Sequence, residues 1–426
     1  MIAKDNNKLI NQHMKRNSTT PKTSDSFVWK NVKWKKIELR LNILQNKIYA
    51  AKKNRNIEKV RKFQKLILNS RDFKKLAVRK ITQLNRGKKA AGVDGIRNLN
   101  ERQRVWLVDN LRIICKARPV KRVMIRKPNG GFRPLGIPTI YDRALQALFV
   151  MALEPEFEAI FEENSYGFRP GRSPIDAMKQ IQLCLQRTER YVLDADIAKC
   201  FDKINHEKLL DLIGHKGKVR LQIEAWLKSG NIFEGIFESG DMGTPQGGVI
   251  SPLLSNIALN GMEKRIGDWA ETQKLTRPNG KPIDKKIDRR KSIIFVRFAD
   301  DFVVMNRNLY VIVKCKEIIN EFLAERGLAL SDAKTKIIHT RLPFETNEPG
   351  FEFLEFKIKH FNTKKRSAKD NQGRTLGFRL LIFPSKNSRK KHFSTIDRIL
   401  REYKKANQSY IVRKLNPIIY WLNQLF

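Results

Sequence analysis

Apolar residues recur at helical spacing through the first part of the chain. They lie three or four residues apart at 37–48, with Lys and Arg between them, and the same period returns at 57–67 and at 73–84. This spacing is typical of amphipathic helices. Ser70 is the expected N-cap of the third helix. The pattern therefore predicts a helical and basic region near the N-terminus.

From about Val120 the pattern changes to short strand-like runs separated by turns. Residues 120–139 predict a hairpin with its turn at 128–131, and a helix is expected around 143–153. Residues 191–204 predict a strand that runs into a helix or turn. Residues 350–361 predict a strand whose apolar parity shifts after Phe353, which indicates a β-bulge.

Three further segments carry local signals. Residues 264–292 are polar, basic and broken by Gly and Pro, so we expect an insertion loop there. Ser251 is the expected N-cap of a helix that follows a Gly-rich loop. Near the C-terminus, Ser394 and Asp397 have the spacing of a capping box. Pro417 is expected to open a last short helix.

Residues 292–305 form two apolar, β-branched runs around Ala299, Asp300 and Asp301, and they predict a hairpin with a tight turn. A solvated hairpin tip is the ordinary interpretation of such a pair of acids. The flanking runs, however, have the composition of buried strands, where adjacent like charges need a cation. Asp194 and Asp196 share one face of another predicted strand. If the two acidic strands meet, hard oxygen ligands for Mg²⁺ gather.

Charge narrows the class of partner. The 426 residues include 86 Lys and Arg against 43 Asp and Glu, a formal net charge of +43, and 41% are hydrophobic. The partner is therefore expected to be polyanionic, with nucleic acid ahead of an acidic membrane surface. The four cysteines lie far apart without a CxxC pair, which argues against zinc and fits a reducing compartment. No apolar run predicts a membrane span or a secretion signal. We expect a bacterial cytoplasmic or organellar location.

Six ordered blocks then make a family resemblance specific. They are KPNGGFRPLGIP (127–138), SYGFRPGRS (165–173), DIAKCFDKI (196–204), GTPQGGVISPLLSNIAL (243–259), RFADDFVV (297–304) and FEFLEF (351–356). Together they resemble the group II intron-encoded reverse transcriptase/maturase proteins, from roughly Trp29 to the C-terminus. The resemblance implies an α+β, right-hand polymerase fold with a helical N-terminal extension, fingers, a palm with an antiparallel sheet and a partial helical thumb, the maturase or X domain.

The same resemblance implies a domain organisation. Residues 1–28 are expected to be a disordered basic tail and 29–98 the helical N-terminal extension. Residues 99–362 would form the fingers and palm, and 363–426 the helical thumb or partial maturase domain. The sequence stops inside the thumb-like segment, which is the expectation for a fragment, a split or truncated reading frame, or a reduced form.

Candidate catalytic and metal-binding residues also follow from the resemblance. Asp196, Asp300 and Asp301 are similar to the catalytic carboxylates of the family, and the main-chain carbonyl of Ile197 is expected to join them as a ligand of Mg²⁺. Phe298 stands where the family more commonly has Tyr. Glu355 stands where it usually has Gly, near the expected primer grip.

Candidate nucleotide-binding residues are Lys127 and Arg133, which suit a triphosphate, Phe201, similar to an aromatic steric gate, and Gln246, beside the nascent pair. Candidate template or primer contacts are Tyr166, Arg169, Arg172, Gly247, Lys334 and Phe353. In so basic a chain, a solvated surface is the ordinary interpretation of the Lys and Arg positions.

The expected function is RNA-directed DNA polymerisation by a protein that also binds its group II intron RNA and promotes splicing and mobility. The expected partners are that intron RNA, an RNA template with a DNA primer, and dNTPs, with no membrane. A homodimer is left open. Two alternatives are a non-catalytic RNA-binding splicing maturase and a related bacterial reverse transcriptase that serves another element.

Overall fold

The computed structural model describes residues 29–126, 130–240, 242–243, 247–276, 280–364 and 367–423. The chain divides into two compact units. The first contains the chain up to Phe161 with Lys199–Asn260 and Ala324–Leu328. The second contains Glu162–Ala198, Gly261–Leu323 and the chain from Ala329 onward.

The elements are numbered here in chain order. The helices are α1 (Trp34–Lys53), α2 (Ile57–Asn69), α3 (Arg71–Arg79), α4 (Glu101–Asn110), α5 (Ile140–Glu158), α6 (Pro174–Leu185), α7 (Cys200–Lys203), α8 (His206–Ile213), α9 (Gly217–Leu227), α10 (Ser251–Leu259), α11 (Met262–Thr272), α12 (Lys286–Ser292), α13 (Leu309–Ala324), α14 (Lys386–Glu402) and α15 (Gln408–Asn423). The strands are β1 (Val120–Arg126), β2 (Phe132–Ile137), β3 (Tyr191–Asp196), β4 (Asn231–Phe233), β5 (Ile236–Glu238), β6 (Ile294–Phe298), β7 (Asp301–Asn306), β8 (Lys336–His339), β9 (Phe351–Phe353), β10 (Phe356–Asn362) and β11 (Phe378–Pro384). This content is mixed α+β, as predicted.

In the first unit, α1, α2 and α3 pack against α5. The helix α5 is buried along almost its whole length, which its nearly continuous apolar sequence explains. The three predicted N-terminal helices are confirmed, and Ser70 is the N-cap residue of α3. A π-helical turn, Lys80–Leu84, extends α3. The unit also holds a four-stranded sheet in the order β2-β1-β4-β5.

The second unit is organised around a four-stranded sheet in the order β6-β7-β3-β8. Its neighbouring strands are all antiparallel. Val192 of β3 and Val303 of β7 lie in a buried cluster with residues of α6, such as Ile181, and of β9 and β10. One apolar core therefore covers this face of the sheet and fixes the register of the strands that carry Asp196 and Asp301.

The expected bulge after Phe353 is wrong. Leu354 and Glu355 form a two-residue connection, with φ of 49° and 71°, between β9 and β10. Phe353 pairs with Phe356 across this hairpin. Positive φ at both central residues is the geometry of a type I′ hairpin turn, which usually takes Asn or Gly. The shift in the apolar alternation after Phe353 therefore marks the point where the chain reverses between β9 and β10.

The expected insertion loop at 264–292 is also wrong in part, because α11 and α12 lie there. Met262, Ile266 and Ala270 of α11 are buried at helical spacing, but they are separated by charged residues. Arg290 of α12 donates from Nε to Glu271 at 2.6 Å and contacts Asp268 as well. Ion pairs between the two helices replace the broad apolar stripe by which a helix is usually recognised in a sequence.

Two expectations for the C-terminal helices are wrong. Ser394 lies inside α14 and donates its hydroxyl to the Lys391 carbonyl, whereas Ser385 is the residue that caps the helix. Pro417 lies inside α15 and does not open a helix.

Ser251, which the sequence predicted as an N-cap, is instead the first residue of α10, one position after the N-cap residue Ile250. None of the helices within the described ranges is long and apolar enough to cross a membrane.

Candidate active site

Two strands of the second unit bring the acidic residues together. Asp196 is the last residue of β3 and Asp301 the first of β7, and the antiparallel register pairs them directly. Phe298, the last residue of β6, pairs with Asp301 from the other side. Ala299 and Asp300 form the connection between β6 and β7, as the sequence predicted. The structure therefore places Asp196, Asp300 and Asp301 at one end of the sheet.

The acids lie on the face that elsewhere forms the core. Along β3 this face carries Val192, then Asp194, then Asp196, and along β7 it carries Val303 and then Asp301. Directly opposed residues of antiparallel strands project to the same side of a sheet. The apolar core thus gives way to carboxylates where the strands end, and the acids share its desolvated environment.

This environment alters the charge state of two carboxylates. Burial, with added repulsion from Asp194, Asp196 and Asp300, raises the pKa of Asp301 to about 7. Burial also raises the pKa of Asp194 to about 7, although Lys336 and Lys357 act in the opposite direction. The sequence placed Asp194 on the acidic face without including it among the candidate site residues. Only the register shows that it adjoins Asp301.

Asp196 has a cationic partner. The Lys334 ammonium forms an ion pair with the Asp196 carboxylate. This hydrogen bond, helped by the charges of Asp196, Asp300 and Asp301, raises the pKa of Lys334 although partial burial opposes the shift. Lys334 belongs to the segment that runs alongside the end of β3, where the Ser331 amide donates to the Asp196 carbonyl at 2.8 Å. The predicted contact residue Lys334 therefore lies at the acid cluster.

The chemistry of this cluster fits a hard divalent cation, because its donors are carboxylate oxygens that repel one another. As the side chains lie, no group of three or more His, Cys, Asp or Glu residues in the described ranges surrounds one point closely enough to hold a metal. Lys334 supplies a positive charge to Asp196. Ile197, whose carbonyl was predicted as a metal ligand, is buried and forms an isolated antiparallel β-bridge with Leu330.

A loop from the predicted template-contact block supports the turn. The Tyr166 amide donates to the Arg297 carbonyl at 2.8 Å, immediately before the acidic turn. A Cβ added to Gly167 would lie 2.3 Å from the Ala299 nitrogen, so backbone packs on backbone there. Ala299 itself has φ of 61°, which an L-residue seldom adopts. Gly167 and Ala299 therefore fix each other's position.

The arginines of this loop have defined contacts. Arg169 is 6% exposed, and its Nη1 donates to the Glu162 and Ser165 carbonyls at 2.6 Å each. Arg172 binds the Glu163 carbonyl and lies 5.4 Å from the centre of the Tyr166 ring. In this structure Arg169 holds the loop together, and a template contact by either arginine stays a prediction.

The remaining candidates lie elsewhere or outside the described residues. Phe353 is 1% exposed and belongs to the core, so a primer contact at this position would be made by its backbone. Arg133 is exposed in β2, and Phe201 is partly buried in α7; both belong to the first unit, as does Gly247. Gly247 has φ of 110°, and an added Cβ would meet the Gly136 carbonyl at 2.5 Å. The predicted residues Lys127 and Gln246 lie outside the described residues.

The class of protein follows from family comparisons. A family model described as "Reverse transcriptase (RNA-dependent DNA polymerase)" matches residues 125–380, more than half of the chain. A second, described as "N-terminal domain of reverse transcriptase", matches residues 29–111. The chain therefore belongs to the reverse transcriptase family.

Individual relatives narrow this class. "Protein YkfC" of Escherichia coli K12 is 31% identical over 310 residues, covering 66% of this chain and 78% of that protein. "Group II intron-encoded protein LtrA" of Lactococcus lactis is 29% identical over 314 residues, covering 62% and 51%. "Maturase-like protein 1" of Euglena gracilis is 28% identical over 242 residues, covering 55% and 52%. The chain is thus similar to a group II intron-encoded protein and to a maturase-like protein, and it spans about half the length of these two relatives.

Proposed function

We propose that this protein is an RNA-directed DNA polymerase encoded by a group II intron, which copies RNA into DNA and binds intron RNA to promote splicing and mobility. The observation that carries the proposal is the register pairing of Asp196 with Asp301, with Asp300 in the adjoining turn. Three carboxylates at the end of a sheet suit nucleotidyl transfer, because they can hold divalent cations, and these would supply the positive charge that stabilises the negative charge developing on the phosphate oxygens.

The proposed division of the chain follows the sequence boundaries. Residues 29–98 would be the N-terminal extension, 99–362 the fingers and palm, and 363–426 the thumb or partial maturase domain. The antiparallel sheet β6-β7-β3-β8 would be the centre of the palm, since it carries the carboxylates. Residues 1–28 are proposed as a basic tail.

Mg²⁺ is the proposed cofactor, held by the Asp196, Asp300 and Asp301 carboxylates and the Ile197 carbonyl. Bound there, it would acidify the primer 3′-hydroxyl and neutralise the leaving pyrophosphate. Lys334, which forms an ion pair with Asp196, would contact the phosphates of primer or nucleotide. Because the pKa of Asp194 lies at about 7, this carboxyl group would be partly protonated at neutral pH. In its protonated form it would add no negative charge beside Asp301.

The other proposed roles concern binding and selection. Lys127 and Arg133 would bind the triphosphate of a dNTP, where a guanidinium can donate two hydrogen bonds. Phe201 would exclude a ribose 2′-hydroxyl, and Gln246 with Gly247 would contact the nascent base pair. The proposed template and primer contacts are Tyr166, Arg169, Arg172, Lys334 and the backbone at Phe353.

Primer extension tests this proposal. Purified protein, an RNA template, a DNA primer, dNTPs and Mg²⁺ should give cDNA, and Asp300→Ala should reduce its yield at least a hundredfold. Asp397→Ala is the matched control, because Asp397 is an exposed acid of α14 paired with Arg401. Equal extension by the wild type and Asp300→Ala would refute polymerisation at this site. EDTA should abolish extension, and Mg²⁺ should restore it.

A non-catalytic splicing maturase is the second candidate. Glu355 favours it, because this residue lies in the two-residue connection between β9 and β10, where the family usually has Gly and where a primer would be positioned. Splicing of a group II intron transcript by wild type and by Asp300→Ala separates the two. Splicing by both proteins, with no cDNA from the wild type, would support the maturase alone.

RNA binding is expected under either candidate. A net charge of +43 should make affinity fall steeply with salt, with a slope of log K against log salt of about 0.7–0.9 per phosphate neutralised. A flat salt response would refute the proposed polyanionic partner.

A further inference from the structure

The strands that carry the carboxylates also carry arginines at their opposite ends. Arg190 immediately precedes Tyr191, the first residue of β3, and Arg307 immediately follows Asn306, the last residue of β7. Tyr191 and Asn306 are register partners. Asp196 lies six positions after Arg190 along this strand, a distance of about 20 Å. The arginines are therefore well removed from the acid cluster.

The main chain of Arg190 is held rigidly. Its amide donates to the Thr340 hydroxyl and its carbonyl accepts from the Thr340 amide, both at 3.0 Å. Thr340, which immediately follows β8, is completely buried. Because two hydrogen bonds fix the backbone, the base of this side chain has little freedom to turn away toward solvent.

The guanidinium of Arg190 lacks a counter-charge. Its side chain is partly buried, and its buried Nε has no hydrogen-bond partner within the described part of the chain. The neighbouring acid, Glu189, forms an ion pair with Arg341 at 3.2 Å. Burial, together with the like charge of Arg307, lowers the pKa of Arg190 to about 10. A buried cation beside a second cation is costly unless an anion joins them.

Two other arginines near this end of the sheet form hydrogen bonds with uncharged side chains. Arg307 donates to the Thr188 hydroxyl at 2.8 Å, and Arg187 donates to the Asn371 side chain at 2.5 Å. Over the described ranges, no carboxylate forms an ion pair with Arg187, Arg190 or Arg307. We name these three residues the arginine cluster. Neutral partners orient a guanidinium and leave its positive charge available to an anion.

We propose that the arginine cluster binds a backbone phosphate of RNA, at the end of the sheet opposite the carboxylates. Arginine suits this ligand because its planar fork of N–H donors matches phosphate oxygens. The proposal takes from the proposed function only that the polyanion is RNA, and it does not depend on polymerisation. An RNA held there would be anchored about 20 Å from the acid cluster.

Salt-dependent RNA binding tests the site. The wild type, Arg190→Gln, Arg307→Gln and the double variant should each be titrated with a folded RNA over a series of KCl concentrations. The double variant should make the decrease of log K with log salt less steep by about 0.7–0.9, since the contact with one phosphate is lost. Arg374→Gln is the control of equal charge, because Arg374 is exposed and paired with Asp370. A double variant with the slope of this control would overturn the proposal.

Thermal unfolding distinguishes a binding role from a structural one. In RNA-free protein, Arg190→Gln should raise the midpoint by about 2 °C or more, since a buried charge without an anion is removed. A lower midpoint, with an unchanged salt slope, would show that Arg190 only supports the fold. This result would overturn the proposal.

A third experiment, with inorganic phosphate, tests whether the site binds free phosphate or the phosphate of RNA. Phosphate at constant ionic strength should stabilise the wild type more than Arg190→Gln. If it does so while RNA binding is equal in the two proteins, the site binds free phosphate and the RNA assignment is wrong. If the wild type itself does not bind RNA, the RNA-binding part of the proposed function and the assignment of this site both fail. If the wild type binds RNA and the double variant has the slope of the control, only the assignment of the arginine site fails.

Discussion

Asp196 and Asp301 are register partners at the end of β3 and β7, on a face that otherwise forms the hydrophobic core of the second unit. Two carboxylates that oppose each other in a desolvated environment repel, and burial penalises their charged forms. Their position therefore costs stability in the absence of a cation. Strain of this kind is typical of sites that are organised for chemistry.

The first prediction concerns Asp301. In EDTA at pH 8, Asp301→Asn should increase the free energy of unfolding by roughly 1–3 kcal/mol, because a carboxylate whose pKa is raised to about 7 is replaced by a neutral isostere. Urea unfolding followed by circular dichroism measures this. Asp397→Asn, at an exposed position, should change little. A less stable Asp301→Asn would contradict the electrostatic account.

The pH dependence of the same variant gives a second check. Since the native pKa of Asp301 lies above its unfolded value, native protein binds more protons between about pH 4 and 7. Stability from this group is thus present at low pH and lost as pH rises through about 7. Metal-free wild type should lose stability relative to Asp301→Asn over that interval. Parallel profiles would show that Asp301 does not titrate there.

The second prediction concerns the loop that supports the acidic turn. Gly167→Ala should reduce primer extension at least tenfold, because the new methyl group would meet the Ala299 backbone and displace the Asp300 turn. Gly87→Ala is the control, since nothing lies within 4 Å of the added atom. Initial rates of dNTP incorporation measure the effect. Equal rates for both variants would mean that the turn does not depend on Gly167.

The third prediction concerns Lys334. Lys334→Gln removes the ammonium that competes with a metal for Asp196, so the Mg²⁺ concentration for half-maximal extension should fall about two- to threefold. A Mg²⁺ titration at saturating dNTP measures this. Lys314→Gln, which removes an exposed lysine paired with Glu317, is the matched control. A higher Mg²⁺ requirement for Lys334→Gln would show that the lysine assists metal binding.

The fourth prediction concerns a buried charge network in the first unit. Glu156 is 1% exposed and accepts hydrogen bonds from Lys52 at 2.9 Å, Arg61 at 2.6 Å and Gln64 at 2.7 Å, while His215 lies 3.0 Å away. Burial alone would raise the pKa of Glu156, but His215, Lys52 and Arg61 hold it well below its usual range. Glu156 thereby joins α1 and α2 to α5.

Glu156→Gln should reduce the free energy of unfolding by about 3 kcal/mol or more, because it leaves several cationic groups without their shared carboxylate. Chemical unfolding followed by tryptophan fluorescence measures the loss. Glu224→Gln, which breaks an exposed pair with Lys228, should cost less than about 1 kcal/mol. Similar losses for the two variants would show that the network contributes no more than a surface ion pair.

The sequence by itself determined the class of the protein and much of its local structure. Six ordered blocks specified the family, helical spacing gave α1 to α3, and alternating apolar runs gave the β6–β7 hairpin with Asp300 at its turn. These features depend on residues close together in the chain, so their periodicity is visible in the sequence. Where charged residues interrupted the apolar period, as in α11, the prediction failed.

Only the tertiary structure decided which charges meet. Asp196 and Asp301 are more than a hundred residues apart, and the register that pairs them is fixed by a core built from several elements. The same register places Asp194 beside Asp301 and Arg190 beside Arg307. A single-residue shift would turn these side chains to the other face, and no local sequence pattern specifies the partner strand. Long-range packing therefore decides the electrostatics of both ends of the sheet.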